Sequence, residues 1–324
     1  MGSGQNTQRL FDLDPLIPHI EAGFILLTPN LRLARRIAAE WDQRQLASGL
    51  RVWEPLPVQP LESWLQQQWE QALEQDLVAP LTPLPPGQLL ELWQQVIEED
   101  VRSSDTYHQL RPMAAAAQAA DARDKLLRWQ VDTAAPAARQ AFQLDSDCGT
   151  FLRWLEAFEA QLARQRYCST ADCIRALLGC PVPQPTARAI LLEFDDVPPI
   201  YRAVLQHRCA EVLDWQPQGN PAACRVLAFT DRRSELQAVA HWAAEQARQR
   251  PDQSLGIVLP DMQVDRPALE YLLRREFGCL GENYNALPVN FSTGITLERA
   301  PVVRDALAVL ELALDEVAVP AVVA

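Results

Sequence analysis

The chain contains 324 residues, of which 48% are hydrophobic and 22% charged, a composition typical of a soluble globular protein. The length suits about two domains. With 29 basic and 42 acidic residues the net charge is −13, which argues against a generally basic nucleic-acid-binding protein but allows a local basic groove. No apolar run approaches the roughly 18–20 residues of a membrane helix, and the first residues lack the features of a signal peptide, so we expect a cytoplasmic protein without membrane contact.

The cysteines indicate reduced thiols that pack in the interior. They are Cys148, Cys168, Cys173, Cys180, Cys209, Cys224 and Cys279. None forms a C-x-x-C pair, and no histidines stand beside them at zinc-finger spacing. Because their number is odd and no secretion signal precedes them, we expect packing residues and no metal site.

The first unit predicted along the chain is a strand that leads directly into a helix. Residues 24–27, Phe-Ile-Leu-Leu, form a continuous apolar run, as expected for a strand buried on both faces. Thr28 can cap the following helix, with a proline in its first turn. The apolar side chains of that helix share one face, and the opposite face carries Arg32, Arg35 and Arg36.

A proline-rich stretch and a helical block come next. Pro55, Pro57 and Pro60 exclude a helix or a central strand from residues 50–60, which we predict to be extended. Residues 61–178 are predicted to form a mostly helical insertion. Its helices are predicted at residues 61–76, 87–101, 113–130 and 151–166.

Alternating strands and helices return after the insertion. Strands are predicted at residues 189–194, 225–229, 255–259 and 287–291, and helices at 199–208, 233–248, 265–277 and 299–314. Such alternation is typical of parallel sheets covered by helices, so the predicted fold class is α/β. The stretch 215–221, rich in proline and glycine, is the predicted boundary between a first domain, residues 1–220, and a second, residues 221–324.

The sequence excludes a phosphate-binding P-loop. Such a loop needs the pattern G-x-x-x-x-G-K-[ST], whose backbone N–H groups and lysine hold nucleotide phosphates. The single lysine, Lys125, lies in no glycine-rich loop, and Pro29 removes an N–H donor after the first strand. The four histidines occur in no metal or triad motif, so we predict no catalytic residue.

Three carboxylates, Glu193, Asp195 and Asp196, lie at the end of the strand predicted at 189–194. Ligands commonly bind at this edge of α/β sheets. The carboxylates could hold Mg²⁺ in a metal-dependent nuclease or phosphohydrolase. Alternatively they cap the helix that begins near Pro199, which the helix dipole favours. We prefer the capping interpretation.

Arginines cluster at three places along the chain. They are Arg32, Arg35 and Arg36 on the first helix, Arg232 and Arg233 after a predicted strand, and Arg266, Arg274 and Arg275 on a later helix. In a shared cleft these side chains would track a phosphate backbone. On a solvated face they would form ion pairs, such as Arg266 with Glu270. The sequence does not separate the two interpretations.

Two stretches of the first half resemble known helicase motifs. Residues 26–35, Leu-Leu-Thr-Pro-Asn-Leu-Arg-Leu-Ala-Arg, are similar to helicase motif Ia and its helix. Residues 191–197 are similar to the Walker B motif, with Glu193 and Asp196 at matching positions. There Leu192 replaces the aspartate that binds magnesium in the family.

Three later stretches complete the resemblance. Residues 231–240 and 256–266 are similar to the opening of a second motor domain, and residues 291–303 to its continuation. In this order the motifs resemble the UvrD-like superfamily 1 helicases. More closely, they resemble the AddB/RecB-type DNA repair proteins, which carry a C-terminal PD-(D/E)XK nuclease.

The resemblance implies a RecA-like parallel sheet with a helical insertion, followed by the start of a second RecA-like domain. It implies an ATPase-dead, DNA-binding or scaffold region of a DNA repair exonuclease, with DNA (single-stranded or a duplex end) as ligand and a helicase or nuclease subunit as partner. The candidate DNA-binding residues are Thr28, Asn30, Arg32, Arg35, Arg36, Arg232, Arg233 and Arg266. We expect no cofactor in this chain, whereas Mg²⁺ would serve the parent nuclease.

Two other functions stay open. The net negative charge and the tryptophan-rich helices suit a protein-interaction scaffold that does not touch DNA. A magnesium-dependent enzyme built on the three carboxylates is the other alternative. The apolar end at Ala324 has no polar tail, so we expect a longer protein whose nuclease motif follows this residue.

Overall fold

A computed structural model describes residues 11–103, 111–182, 184–217, 224–251, 253–292, 294, 297 and 300–313. Its contacts divide the chain into two compact units, residues 1–220 and 221–324. Within the described ranges, no helix combines the length and the apolar character needed to cross a bilayer.

The first unit contains nine α-helices and six strands among its described residues. In chain order they are α1 (Ile17–Glu21), β1 (Phe24–Thr28), α2 (Leu31–Ala47), β2 (Val58–Pro60), α3 (Leu61–Glu74), β3 (Thr82–Pro83), α4 (Pro86–Ser103), α5 (Pro112–Arg128), α6 (Pro136–Gln143), α7 (Ser146–Gln165), β4 (Tyr167–Cys168), α8 (Thr170–Ala176), β5 (Ala187–Leu192), α9 (Pro199–Arg208) and β6 (Cys209–Trp215). Short 3₁₀ turns cover Asp14–Leu16 and Leu177–Gly179.

The main sheet is parallel, with strands in the order β2-β1-β5-β6. Leu26 of β1 is in register with Ile190 of β5, which is in register with Leu213 of β6. The two central strands are largely buried, as continuous apolar runs in parallel sheets favour. The predicted α/β class with a parallel sheet is therefore confirmed, in the form of one small sheet of four strands.

Neither edge strand of this sheet was predicted as a strand. The proline-rich stretch supplies β2, an edge strand, which is a position where prolines are tolerated. The other edge, β6, was not predicted. Its exposed and half-buried side chains do not alternate regularly, and the strand follows α9 directly, without a turn signal before it.

Helices cover the sheet on both faces. On one face Leu27 and Leu191 pack with Trp64 of α3 and Val204 of α9. The opposite face packs against Ile37 of α2. Because α3 belongs to these layers, it is part of the α/β body and not of a separate helical insertion.

The helices α4, α5 and α7 form a core of their own. Trp93 of α4 stacks on Phe158 of α7, with ring centroids 3.9 Å apart and planes 7° from parallel. The sequence predicted these three helices but missed α6, which packs on α7, and the β3–β4 pair. Short elements of this kind carry too few residues for a periodic signal.

A buried ion pair joins the helical core to α8. The Arg123 guanidinium of α5 donates hydrogen bonds of 2.9 and 3.0 Å to the Asp172 carboxylate and one of 3.2 Å to the Ser169 hydroxyl. The two charged side chains are only 7% and 10% exposed. Burial works against the ionised carboxylate, but Arg123 and Ser169 together hold the pKa of Asp172 below its usual range.

The second unit is built from helices α10 (Arg232–Gln249), α11 (Met262–Phe277) and α12 (Pro301–Ala313), with a 3₁₀ turn at Tyr284–Ala286. α10 and α11 pack through Leu236, Ala240 and Leu273. Gly278 ends α11 in the left-handed conformation, with φ +73°, as predicted.

The strands predicted in the second unit are wrong. Residues 225–229, 255–259 and 287–291 are described, and none of them is a hydrogen-bonded strand. The side chains of Val226 and Val258 are 90% and 93% exposed. A strand requires a hydrogen-bonded neighbour, which an apolar run does not supply by itself. The start of a second parallel sheet is therefore absent from the described residues.

Candidate nucleic-acid interface

The connection between β1 and α2 consists of Pro29 and Asn30 alone. The Asn30 side chain accepts a 2.9 Å hydrogen bond from the Leu33 N–H and caps α2. Thr28, the predicted cap, is wrong in this role because the strand continues through it. Its hydroxyl donates instead to the Asn30 carbonyl at 2.9 Å.

The shape of this connection limits what can bind there. A two-residue turn that begins with proline has no room for the glycine-rich cradle of a P-loop. The Thr28 side chain is fully buried, so it cannot contact DNA directly. Asn30 is exposed, but its side-chain oxygen is already used for capping.

The three arginines of α2 lie on its solvent side. Ala34 and Ile37 are buried against the sheet, whereas Arg32, Arg35 and Arg36 are exposed on two successive turns. This arrangement follows from the 3.6-residue period, which places the arginines away from the apolar face. Positive charge is thus concentrated at the N-terminal half of α2, next to the carboxyl edge of the sheet.

The end of β5 turns sharply at Glu193. This residue has a left-handed backbone, φ +55°, which a side chain other than glycine adopts at a cost of about 1–2 kcal/mol. Its N–H donates to the Trp215 carbonyl at 3.0 Å, and the Phe194 carbonyl accepts from the Gln216 amide at 2.6 Å. Two hydrogen bonds, one to the last residue of β6 and one from the residue after it, thus hold the turn in place.

The three carboxylates do not cap α9. The N-cap of that helix is Pro198, no side chain caps it, and its first turn contains no acidic residue. The capping interpretation of Glu193, Asp195 and Asp196 is therefore wrong. Pro198 has an extended backbone and precedes Pro199, the first residue of α9. This extended segment separates the three carboxylates from the start of the helix.

Instead, the carboxylates face the first turns of α2 across an open cleft of about 650 Å³. Asn30, Arg32 and Arg36 line one part of this cleft, which we call the β1–β5 cleft. Glu193, Asp195, Phe194 and Asp196 line the other. The two groups meet because β1 and β5 are adjacent parallel strands, so the loops at their carboxyl ends are neighbours. The sequence identified both groups of residues but did not predict that they line the same cleft.

The lining of the β1–β5 cleft combines two guanidinium groups with three carboxylates. Among the described residues, no group of three or more histidine, cysteine, aspartate or glutamate side chains is placed to hold a metal ion. The cleft is thus a surface of mixed charge.

In the second unit, two of the three candidate arginines form ion pairs inside the fold. Arg232 donates to both carboxylate oxygens of Asp265, which lowers the pKa of that carboxyl, and also pairs with Glu235. Arg266 is buried over the Phe291 ring, 4.5 Å from its centroid, and lies 3.8 Å from Glu270.

Of the two interpretations, the ion pair of Arg266 with Glu270 is the one present, and the buried Arg266 cannot contact DNA. Arg233 is exposed beside Arg232. Of the arginines in the second unit that were expected to bind DNA, Arg233 alone presents an exposed side chain that no ion pair within the described residues occupies.

Comparison of the chain with protein-family models and with curated proteins finds no match. The resemblance to superfamily 1 helicases therefore stays a prediction, which depends on the order of the motifs in the sequence.

Proposed function

We propose that the chain binds the phosphate backbone of DNA through the first two turns of α2, as an ATPase-dead, helicase-like module of a DNA repair nuclease. The observation that carries the proposal is the exposure of Arg32, Arg35 and Arg36 together, beside the carboxyl edge of the parallel sheet. Guanidinium groups are well suited to phosphate because each can donate two parallel hydrogen bonds.

The fold of the first unit supports this proposal. The first unit has a parallel sheet with helices on both faces, which is the arrangement expected of the RecA-like domain that we propose. The Pro29–Asn30 turn supports the loss of nucleotide hydrolysis, since it offers no P-loop.

The proposed contact predicts weak, salt-dependent binding. Three arginines that each neutralise one phosphate of a single strand give a slope of log K against log[salt] near −2. Affinity should then fall roughly 20-fold between about 50 and 200 mM salt. The carboxylates of the β1–β5 cleft reduce the affinity further, because they repel the same phosphates.

Fluorescence anisotropy of labelled single-stranded and forked DNA tests the proposal at these two salt concentrations. The variant Arg32→Ala/Arg35→Ala/Arg36→Ala should lose most of the binding and of the salt dependence. The matched control replaces three exposed arginines on or next to helices α4, α5 and α7, as Arg102→Ala/Arg111→Ala/Arg164→Ala. It changes the net charge by the same amount. Equal loss in both variants would show that the chain responds only to total charge.

A protein-interaction scaffold is the second candidate, and one observation favours it. Apolar side chains of the second unit, Val226, Leu227 and Val258, are 73–93% exposed, as on surfaces that bind a protein partner. If the wild-type chain binds no DNA at about 50 mM salt, where backbone contacts are strong, the scaffold replaces DNA binding as the proposed function.

A further inference from the structure

Two buried thiols lie side by side where β4 meets α8. The sulfur atoms of Cys168 and Cys173 are 3.4 Å apart. The two residues are 1% and 5% exposed, and both are free thiols. Among the described residues, this is the one cysteine pair whose sulfur atoms are in contact. This contact was not predicted, because a spacing of five residues is not a known redox or zinc motif.

The backbone between the two thiols is fixed by polar contacts. Ser169 and Asp172 form a capping box at the start of α8, in which each side chain accepts from the backbone N–H of the other residue. Arg123 holds the Asp172 carboxylate from the side of α5. These contacts restrict the backbone between the two cysteines and keep their sulfur atoms close together.

The environment makes the two thiols unequal. The hydrogen bond shared with Cys173 lowers the pKa of Cys168, and this effect outweighs burial and the Asp172 carboxylate, which both raise it. The same hydrogen bond and burial raise the pKa of Cys173. This difference favours Cys168 as the nucleophilic sulfur and Cys173 as the neighbour that attacks the product of its oxidation.

We propose that Cys168 and Cys173 form a reversible intramolecular disulfide when the protein meets a peroxide. The Cys168 thiolate attacks one oxygen of hydrogen peroxide, breaks the O–O bond and becomes a sulfenic acid. The other oxygen leaves as hydroxide and takes up the proton that the thiol released, which gives water. The Cys173 sulfur then attacks the Cys168 sulfur and displaces a second water. Two thiols and one peroxide thus give one disulfide and two waters, and a dithiol reductant reverses the oxidation.

The geometry requires only a small movement. The sulfur atoms must approach from 3.4 Å to about 2.05 Å, which rotation of the two side chains can supply. Because the loop that is closed is very short, the bond constrains little of the unfolded chain. Its effect is local and concerns the β4–α8 junction, at which Arg123 joins the helical core to the sheet layers. The proposal does not depend on DNA binding.

Peptide mapping of the folded chain tests the proposal. Arg166 and Arg175 are trypsin sites, so both thiols fall in the peptide Tyr167–Arg175. The exposed thiols are replaced first, as Cys148→Ser/Cys224→Ser, to prevent bonds between chains. After treatment with hydrogen peroxide and alkylation, we expect this peptide to lose two hydrogen atoms in mass and both alkylation sites, and a dithiol reductant to restore them.

A second variant distinguishes the proposed pathway from general oxidation. In Cys173→Ser the resolving sulfur is absent, so Cys168 should accumulate as a sulfenic acid that a 1,3-dione reagent labels. Recovery of the wild-type peptide with both thiols alkylated, or with Cys168 oxidised to sulfinic acid while Cys173 stays free, would overturn the proposal. If the variant does not fold, the mapping of the Cys148→Ser/Cys224→Ser chain alone decides.

Discussion

The two units of the chain contain similar apolar runs followed by helices, and they use them differently. In the first unit, the run at 24–27 becomes β1, paired on both sides and buried. In the second unit, the runs at 225–229 and 255–259 precede equally regular helices but stay unpaired. Helix formation is local, since each hydrogen bond closes within five residues of the chain. Strand formation depends on a neighbouring strand, and among the residues that the structure describes the first unit alone supplies one.

The largest expected effect concerns the ion pair that joins the parts of the first unit. In Asp172→Asn the buried Arg123 keeps its charge and loses its buried carboxylate partner, and only Glu159, 3.4 Å away and 45% exposed, still pairs with it. The free energy of unfolding should therefore fall by about 3–5 kcal/mol. Urea denaturation measures it. The control is Asp121→Asn, whose partner Lys125 is 67% exposed, and which should change stability by less than about 1 kcal/mol. Similar values for the two variants would contradict the account.

Substitution of one apolar side chain in each unit by alanine tests the comparison of the two units directly. Leu26 of β1 is fully buried, so Leu26→Ala should lower the free energy of unfolding by about 2–5 kcal/mol. Val258 is 93% exposed, so Val258→Ala should change it by less than about 0.5 kcal/mol. A large loss in Val258→Ala would mean that its segment is a paired strand after all.

The dependence of stability on acid pH tests the contribution of the Arg123–Asp172 ion pair. Because the folded protein holds the pKa of Asp172 below its unfolded value near 3.9, the pair stabilises the fold fully above that pH. The contribution disappears as the pH falls through the lower, folded pKa. We expect the stability of the wild type to decline more steeply below about pH 4 than that of Asp172→Asn. Parallel curves from urea titrations at several pH values would exclude this role.

The smallest expected effect concerns the β1–β5 cleft. Asp195→Asn/Asp196→Asn removes two negative charges that face Arg32 and Arg36, so affinity for single-stranded DNA should rise by about 2–5-fold at low salt. Anisotropy measures the change with and without Mg²⁺. A loss of affinity that appears only with Mg²⁺ would show that the carboxylates hold a bridging cation, and it would restore the metal-dependent alternative.

The sequence predicted most of the first unit because its signals were local. The buried run of β1, the amphipathic α2 and the prolines before β2 each carry their own pattern. The cap was misplaced by two residues because Thr28 and Asn30 are both good caps, and strand pairing extends through Thr28. Helix boundaries of the second unit were also predicted closely, which agrees with the local origin of helices.

The candidate site was predicted only in pieces. The exposed arginines of α2 follow from periodicity, but the meeting of Arg32 and Arg36 with Asp195 and Asp196 depends on the strand order, which no local pattern contains. For the same reason the sequence did not reveal that Arg266 is buried. Its contact with the Phe291 ring joins residues that are distant in the chain.

Hydrogen exchange of the wild-type chain, with and without saturating single-stranded DNA at low salt, tests the central claim most directly. If the first turns of α2 bind the phosphate backbone, amide exchange in the peptide covering residues 29–41 should slow, while peptides of α4, α5 and α7 stay unchanged. Bound DNA that protects other peptides and leaves residues 29–41 unchanged would contradict the account.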